Sequence, residues 1–269
     1  ERARVVRRLN QAGVPVIAWL LLPRAEGYWF NLDNAPQAAA RYEAVRAWTA
    51  EHALRWDGVG LDIEPDIHDL QRLLKSRWRL LPALLPRLAR GARLREARAA
   101  YGTLVDRIRA DGHRVDSYQL PFIVDERRAG STLLQRLLGV LDLPVDREVL
   151  MLYSSFVRPH GPGVLCSYGP RARSVGVGVT GGGVDVPDLL AVPPLDWEEL
   201  ARDLRLTRRW TDDVHVFSLE GCVRQGFLTR LRDLDWSGPE DTAPASSRRL
   251  GWLRRATGGV LRVGSWLMR

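Results

Sequence analysis

Short apolar runs recur along this chain with enough residues between them for a helix, and that rhythm narrows the fold more than any other feature. Residues 2–12 place Ala3, Val5, Val6 and Leu9 on one helical face, Gly13 follows as a C-cap, and 14–22 reads as a buried strand. A helix over 36–54, an acid-bearing strand at 58–64, helical sequence over 68–111 and strands at 114–124, 148–155, 174–180 and 213–219 continue the pattern. Parallel strands need crossover connections, so the alternation predicts an α/β fold with a parallel sheet covered by helices. Six strands fit either an open doubly wound sheet or the last six strands of a (β/α)8 TIM-type barrel whose first two strand-helix units are not in this sequence. The barrel is favoured, because Glu64, Asp125, Tyr153, Thr180 and Glu220 fall at strand ends, where β/α barrels build their active sites. A doubly wound fold calls for an early phosphate-binding glycine loop. The only G-x-G-x-x-G, Gly176 to Gly181, lies inside a strand and leads into a glycine- and proline-rich loop, so it reads as a close-packed strand.

The second informative feature is Trp56-Asp57-Gly58-Val59-Gly60-Leu61-Asp62-Ile63-Glu64-Pro65. Side chains alternate along a strand, so Val59, Leu61 and Ile63 share an apolar face while Gly60, Asp62 and Glu64 share the other. Two like charges on one buried face repel and are costly to desolvate, and this arrangement points to chemistry or to an ion. Asp57-Gly58-x-x-x-Asp62-x-Glu64 resembles the fourth-strand signature of family 18 glycoside hydrolases, the chitinase and endo-N-acetylglucosaminidase group, which runs D-G-x-D-x-D-x-E. Met151-Leu152-Tyr153-Ser154 is similar to that family's M-x-Y-D element.

The resemblance implies a barrel spanning 1–245 in which Glu64 protonates the glycosidic oxygen. Asp62 would stabilise a substrate N-acetyl group acting as internal nucleophile, and Tyr153 would help to hold that group. The chain departs from the family at Gly60 and Ser154, where the family carries aspartates, and on the eighth strand, which offers Ser218 and Glu220 in place of a tryptophan. Glu220 is therefore a candidate second carboxylate for a direct nucleophilic or inverting mechanism, with Asp125 and Glu126 as competitors. Trp19 on the strand before, and Tyr28, Trp29 and Asn31 in the loop after it, would suit sugar binding, as would Gln119 and Asp125 on and after the fifth strand.

Two other readings stay open: a barrel that binds carbohydrate without turnover, and a metal-dependent phosphodiesterase using Asp62 and Glu64 as ligands. The five histidines form no H-x-x-x-H pair, and Cys166 and Cys222 have no metal-ligand spacing, so no metal site and no cofactor is expected. The net charge of +8 rests almost wholly on arginine, Lys75 being the one lysine. No nucleic-acid-binding signature accompanies it, and the expected partner is a carbohydrate. Residues 71–98 and the tail 246–269 mix leucine, tryptophan and arginine in a manner suited to peripheral contact with an anionic membrane. No apolar run reaches 18 residues, and the chain opens at Glu1 within a helical pattern. An upstream signal or anchor would make the protein extracellular or membrane-associated; otherwise it is expected in the cytoplasm.

Overall fold

The computed structural model describes residues 1–75, 84–183, 192–237 and 245–267. Two compact units emerge, the first formed by Glu1–Gln119 with Leu133–Glu148 and the second by Leu120–Thr132 with Val149–Arg269.

Unit 1 runs α1 (Arg2–Gln11), β1 (Ile17–Leu20), α2 (Ala35–His52), β2 (Gly58–Ile63), α3 (Ile67–Lys75), α4 (Gly91–Ala110) and β3 (Arg114–Gln119). The strands are parallel and pair in chain order, Trp19 opposite Gly60 and Asp62 opposite Tyr118. Glycines in β2 permit this close pairing: a Cβ on Gly58 would lie 2.9 Å from the Arg114 carbonyl oxygen. Asp57 completes the entry to the sheet by accepting the Val16 N–H at 2.7 Å. Val59, Leu61 and Ile63 are fully buried, as expected for an apolar face beneath helices.

Unit 2 contains α5 (Phe122–Ala129), β4 (Arg147–Met151, from Val149), α7 (Gly161–Tyr168), β5 (Ser174–Gly178), α8 (Trp197–Arg208), β6 (Val214–Phe217), α9 (Leu219–Arg224), α10 (Phe227–Arg232) and α11 (Ala245–Leu267); the short α6 (Leu133–Leu138) belongs to unit 1. Its strands are again parallel and in order, with Gly176 opposite His215 and Gly178 opposite Phe217. Leu150, Leu152, Val175 and Val177 form a core with Leu200 and Leu204 of α8. A capping box between Asp196 and Glu199 starts α8, satisfying two otherwise unpaired N–H groups. The alternation of six parallel strands with helices is that of a TIM-type α/β chain.

The sequence pattern overextends most strands: 148–155 shortens to Arg147–Met151, 174–180 to Ser174–Gly178 and 213–219 to Val214–Phe217. Residues 14–22 contribute only Ile17–Leu20 to the sheet, and the apolar run at 122–124, expected as strand, opens α5 behind Pro121. Of the basic segment 71–98, residues 76–83 lie outside the described residues. The C-terminal tail is α11, which packs on α5 and α7.

Candidate active site

The Asp62–Glu64 pair sits at the C-terminal end of β2, and the loop after β1 fixes its backbone. Phe30 bridges to Ile63, with its N–H donating to the Asp62 carbonyl at 2.9 Å and its carbonyl accepting the Glu64 N–H at 3.2 Å. The polar end of the strand is therefore clamped although β1 itself stops opposite Leu61. Gly27 permits the tight return of this loop, since a Cβ there would meet the Asp66 carboxylate at 2.6 Å.

Asp62 is 3% exposed and accepts a hydrogen bond from the Trp19 indole Nε1 at 3.2 Å. Among the described residues no arginine or lysine forms an ion pair with it. Burial pushes its carboxyl up to about 7, opposed by the hydrogen bonds from Trp19 and Glu64. Burial, and then the negative charge of Asp62, hold Glu64 well above the usual carboxylate range. The buried Asp62 Oδ1 has no hydrogen-bond partner. A carboxyl raised in this way beside a second carboxyl is suited to donating a proton near neutral pH.

Tyr118 was not singled out by sequence. It shares the Asp62 face through the β2–β3 register, and its ring occupies the space next to Gly60, where a Cβ would come within 2.8 Å of the ring. Burial, with Asp116 and Asp62 nearby, raises its phenol to about 12, so it is a neutral hydroxyl at the edge of the pair. Deeper on the same face, fully buried Asp116 is bound by Arg114 and Arg147. The signal in sequence is Arg114-x-Asp116-x-Tyr118, a polar alternation of period two.

The rim residues differ in what they offer. Trp19 is 36% exposed, whereas Trp29 is 3% exposed and makes an edge contact with the half-buried Tyr28 at 5.2 Å between ring centres. Tyr28 holds a φ of 65°, a conformation side chains seldom adopt. Asn31 serves the loop, donating to the Trp29 carbonyl and accepting the Asp33 N–H. Gln119 lies on the opposite face of β3 from Tyr118, where its amide donates to the Leu141 carbonyl at 3.1 Å. Both residues are 2% exposed and donate to nearby backbone carbonyls.

In unit 2, Tyr153 stacks on Phe217 at 5.8 Å, and the glycines of β5 make room for it: Cβ atoms on Gly176 or Gly178 would lie 3.4 Å from its ring. Ser154 donates to the buried Asp203 carboxylate, so its hydroxyl secures α8. Asp125 has a structural duty that sequence did not reveal. Arg254 of α11 binds both its oxygens, at 3.0 and 2.6 Å, and the Tyr168 hydroxyl donates to it at 2.6 Å. Glu220 accepts the Gly183 N–H at 2.8 Å and pairs with Arg224, holding the loop after β5 against α9. Glu126 is fully buried in α5. Asp125 and Glu220 thus each hold structural partners within unit 2.

Among the described residues no group of three or more His, Cys, Asp or Glu side chains is gathered closely enough to hold a metal ion. A shallow cavity of about 320 Å³ beside Trp197, Arg230 and Asp233 contains none of the candidate residues.

No protein-family model and no curated protein matches the chain. Among solved structures, the chain is similar to the PgaB (BpsB) glycoside hydrolase domain from Bordetella bronchiseptica, with 15% identity over 86% of this chain and 78% of that one and a TM-score of 0.51. The likeness is one of fold. An L-ribulose 3-epimerase gives a TM-score of 0.41 at 14% identity, covering 98% of this chain and 80% of that one. The comparisons support a TIM-type barrel fold and give no support to family 18.

Proposed function

We propose that the chain is a carbohydrate-active barrel that cleaves a glycosidic bond in an N-acetylated glycan, with Glu64 as the general acid. The observation that carries this reading is the placement of Asp62 and Glu64 at i and i+2 at the C-terminal end of a parallel strand, where burial raises both carboxyls. The fold it shares with a glycoside hydrolase domain supports it at the level of architecture alone. In the proposed step the Glu64 O–H proton passes to the glycosidic oxygen as the bond from the anomeric carbon to that oxygen breaks. The substrate's 2-acetamido carbonyl oxygen bonds to the anomeric carbon from the other face, and the Asp62 carboxylate stabilises the positive charge on the acetamido nitrogen. Water then attacks the anomeric carbon as the bond from that carbon to the acetamido oxygen breaks and restores the acetamido group, and Glu64, now a carboxylate, takes the water's proton. Asp62 suits this role because Trp19 supports its anionic form. Tyr153, an aromatic surface above a glycine floor in unit 2, is kept as a sugar-binding side chain.

A second reading, a barrel that binds carbohydrate without cleaving it, is favoured by Tyr118, whose ring fills the space beside Gly60 where the family carries an aspartate. Matched oligosaccharides with and without 2-acetamido groups separate the two. Cleavage confined to the acetamido series supports the proposal, equal cleavage of both removes the substrate-assisted step, and binding with no cleavage of either selects the second reading.

A further inference from the structure

The C-terminal helix α11 packs on unit 2 through one face and carries an exposed apolar stripe on the other. Leu250, Arg254, Thr257, Leu261 and Ser265 face inward. Leu261 is buried, Arg254 binds Asp125 and lies over the Tyr168 ring at 3.6 Å, and Ser265 donates to the Gly130 carbonyl at 2.9 Å. These contacts fix the rotation of the helix about its axis. Positions 252, 256, 259, 263 and 266 then share the outward face by their spacing of three and four.

That outward face carries Trp252 at 66% exposure and Trp266 at 76%, with Val260 and Val263 between them and Leu253 alongside, all exposed. Of the fifteen large apolar residues exposed on the described surface, these five lie on one helix, so they form a patch rather than scattered singles. Arg255 and Arg262 are exposed on the flank of the same stripe, and the sequence from 245 to 269 contains no aspartate or glutamate.

We propose that this face of α11 lies in the plane of an anionic lipid surface. Charge decides the occupant. A second copy seated on the face would bring Arg255 and Arg262 against their own equivalents with no acid in the segment to answer them, whereas anionic headgroups match them. The tryptophans, fourteen positions apart and so about 21 Å along the axis, anchor both ends at the headgroup level while the valines and Leu253 enter the acyl boundary. The helix is not long and apolar enough to cross a membrane, and its inner face is already engaged. The inference is independent of the glycan chemistry of β2.

Flotation of the full chain with vesicles tests it, using phosphatidylcholine with 30% phosphatidylserine (roughly the anionic content that gives a cytoplasmic-type surface charge) against phosphatidylcholine alone. Anionic vesicles are expected to carry the protein, with binding weakened at least about tenfold on neutral vesicles, in the Trp252→Ser/Trp266→Ser variant and in the Arg255→Glu/Arg262→Glu variant. These side chains are exposed, and an unchanged circular dichroism spectrum and melting temperature establish that each variant is folded. Failure of the unmodified chain to float with anionic vesicles overturns the proposal. So does equal flotation of either double variant, or a dimer that forms through Trp252 and Trp266 and leaves no vesicle binding.

Discussion

The indole N–H of Trp19 donates to Asp62 Oδ2 across the β1–β2 pairing, and among the described residues it is the one nitrogen donor to that buried carboxylate. It favours the anion on Asp62, whose negative charge in turn favours the protonated form of Glu64. Tyr118 stands beside the pair from β3, with Asp116, Arg114 and Arg147 deeper on the same face. Trp19→Phe keeps the ring and removes the donor. Asp62 should then ionise about one pH unit higher, since a hydrogen bond to a charged group contributes about 1.5 kcal/mol. Carbon-13 NMR titration of the side-chain carboxyls reads this directly, with the acid limb of any turnover profile moving by the same amount. An unmoved Asp62 titration would remove Trp19 from this role.

The same pair makes stability depend on pH. Both folded carboxyls titrate above their ordinary values of 3.8 and 4.5, so between those values and their folded ones the native state holds more protons than the unfolded chain. The stability they contribute is complete below about pH 4 and is lost as pH rises through about 7 and beyond. Denaturant unfolding from pH 5 to 8 should show a smaller fall in stability for Asp62→Asn than for the unmodified chain. Identical slopes would mean that the pair is not protonated as described.

Gly60 is required by its neighbour. A Cβ at this position lies 2.8 Å from the Tyr118 ring, inside contact distance, on a strand buried on both sides. Gly60→Ala should destabilise the protein by about 1–3 kcal/mol, and the loss should shrink when Tyr118→Val opens the space. Additive losses in the double variant would separate the two residues.

Arg254 answers the charge of Asp125, which is 7% exposed. Arg254→Met should cost about 3 kcal/mol, because it leaves a buried carboxylate with only the Tyr168 hydroxyl, while Arg254→Met with Asp125→Leu should recover much of that loss. Chemical denaturation of the three variants measures it.

The acid strand and the alternation of elements were legible because both are local: period-two polarity on β2 and apolar runs separated by helical lengths need no knowledge of the partner strands. The apolar run at 122–124 was not legible, since a short apolar run fits a buried strand or a buried helix equally, and Pro121 turns it into α5. Tyr118 escaped notice because its position depends on the register between β2 and β3, a non-local relationship. Asp125 looked like an active-site acid at a strand end, yet its partner Arg254 lies 129 residues further along the chain. A pairing over that separation leaves no mark in local pattern.

The central claim is that Glu64 delivers the proton that cleaves the glycosidic bond, and the comparison of Glu64→Gln with the unmodified chain on an acetamido-bearing oligosaccharide tests it most directly. The amide keeps the shape of the carboxylic acid and cannot give up that proton, so turnover should fall by at least about a hundredfold while affinity and melting temperature remain close to those of the unmodified chain. Undiminished turnover by Glu64→Gln would contradict the account.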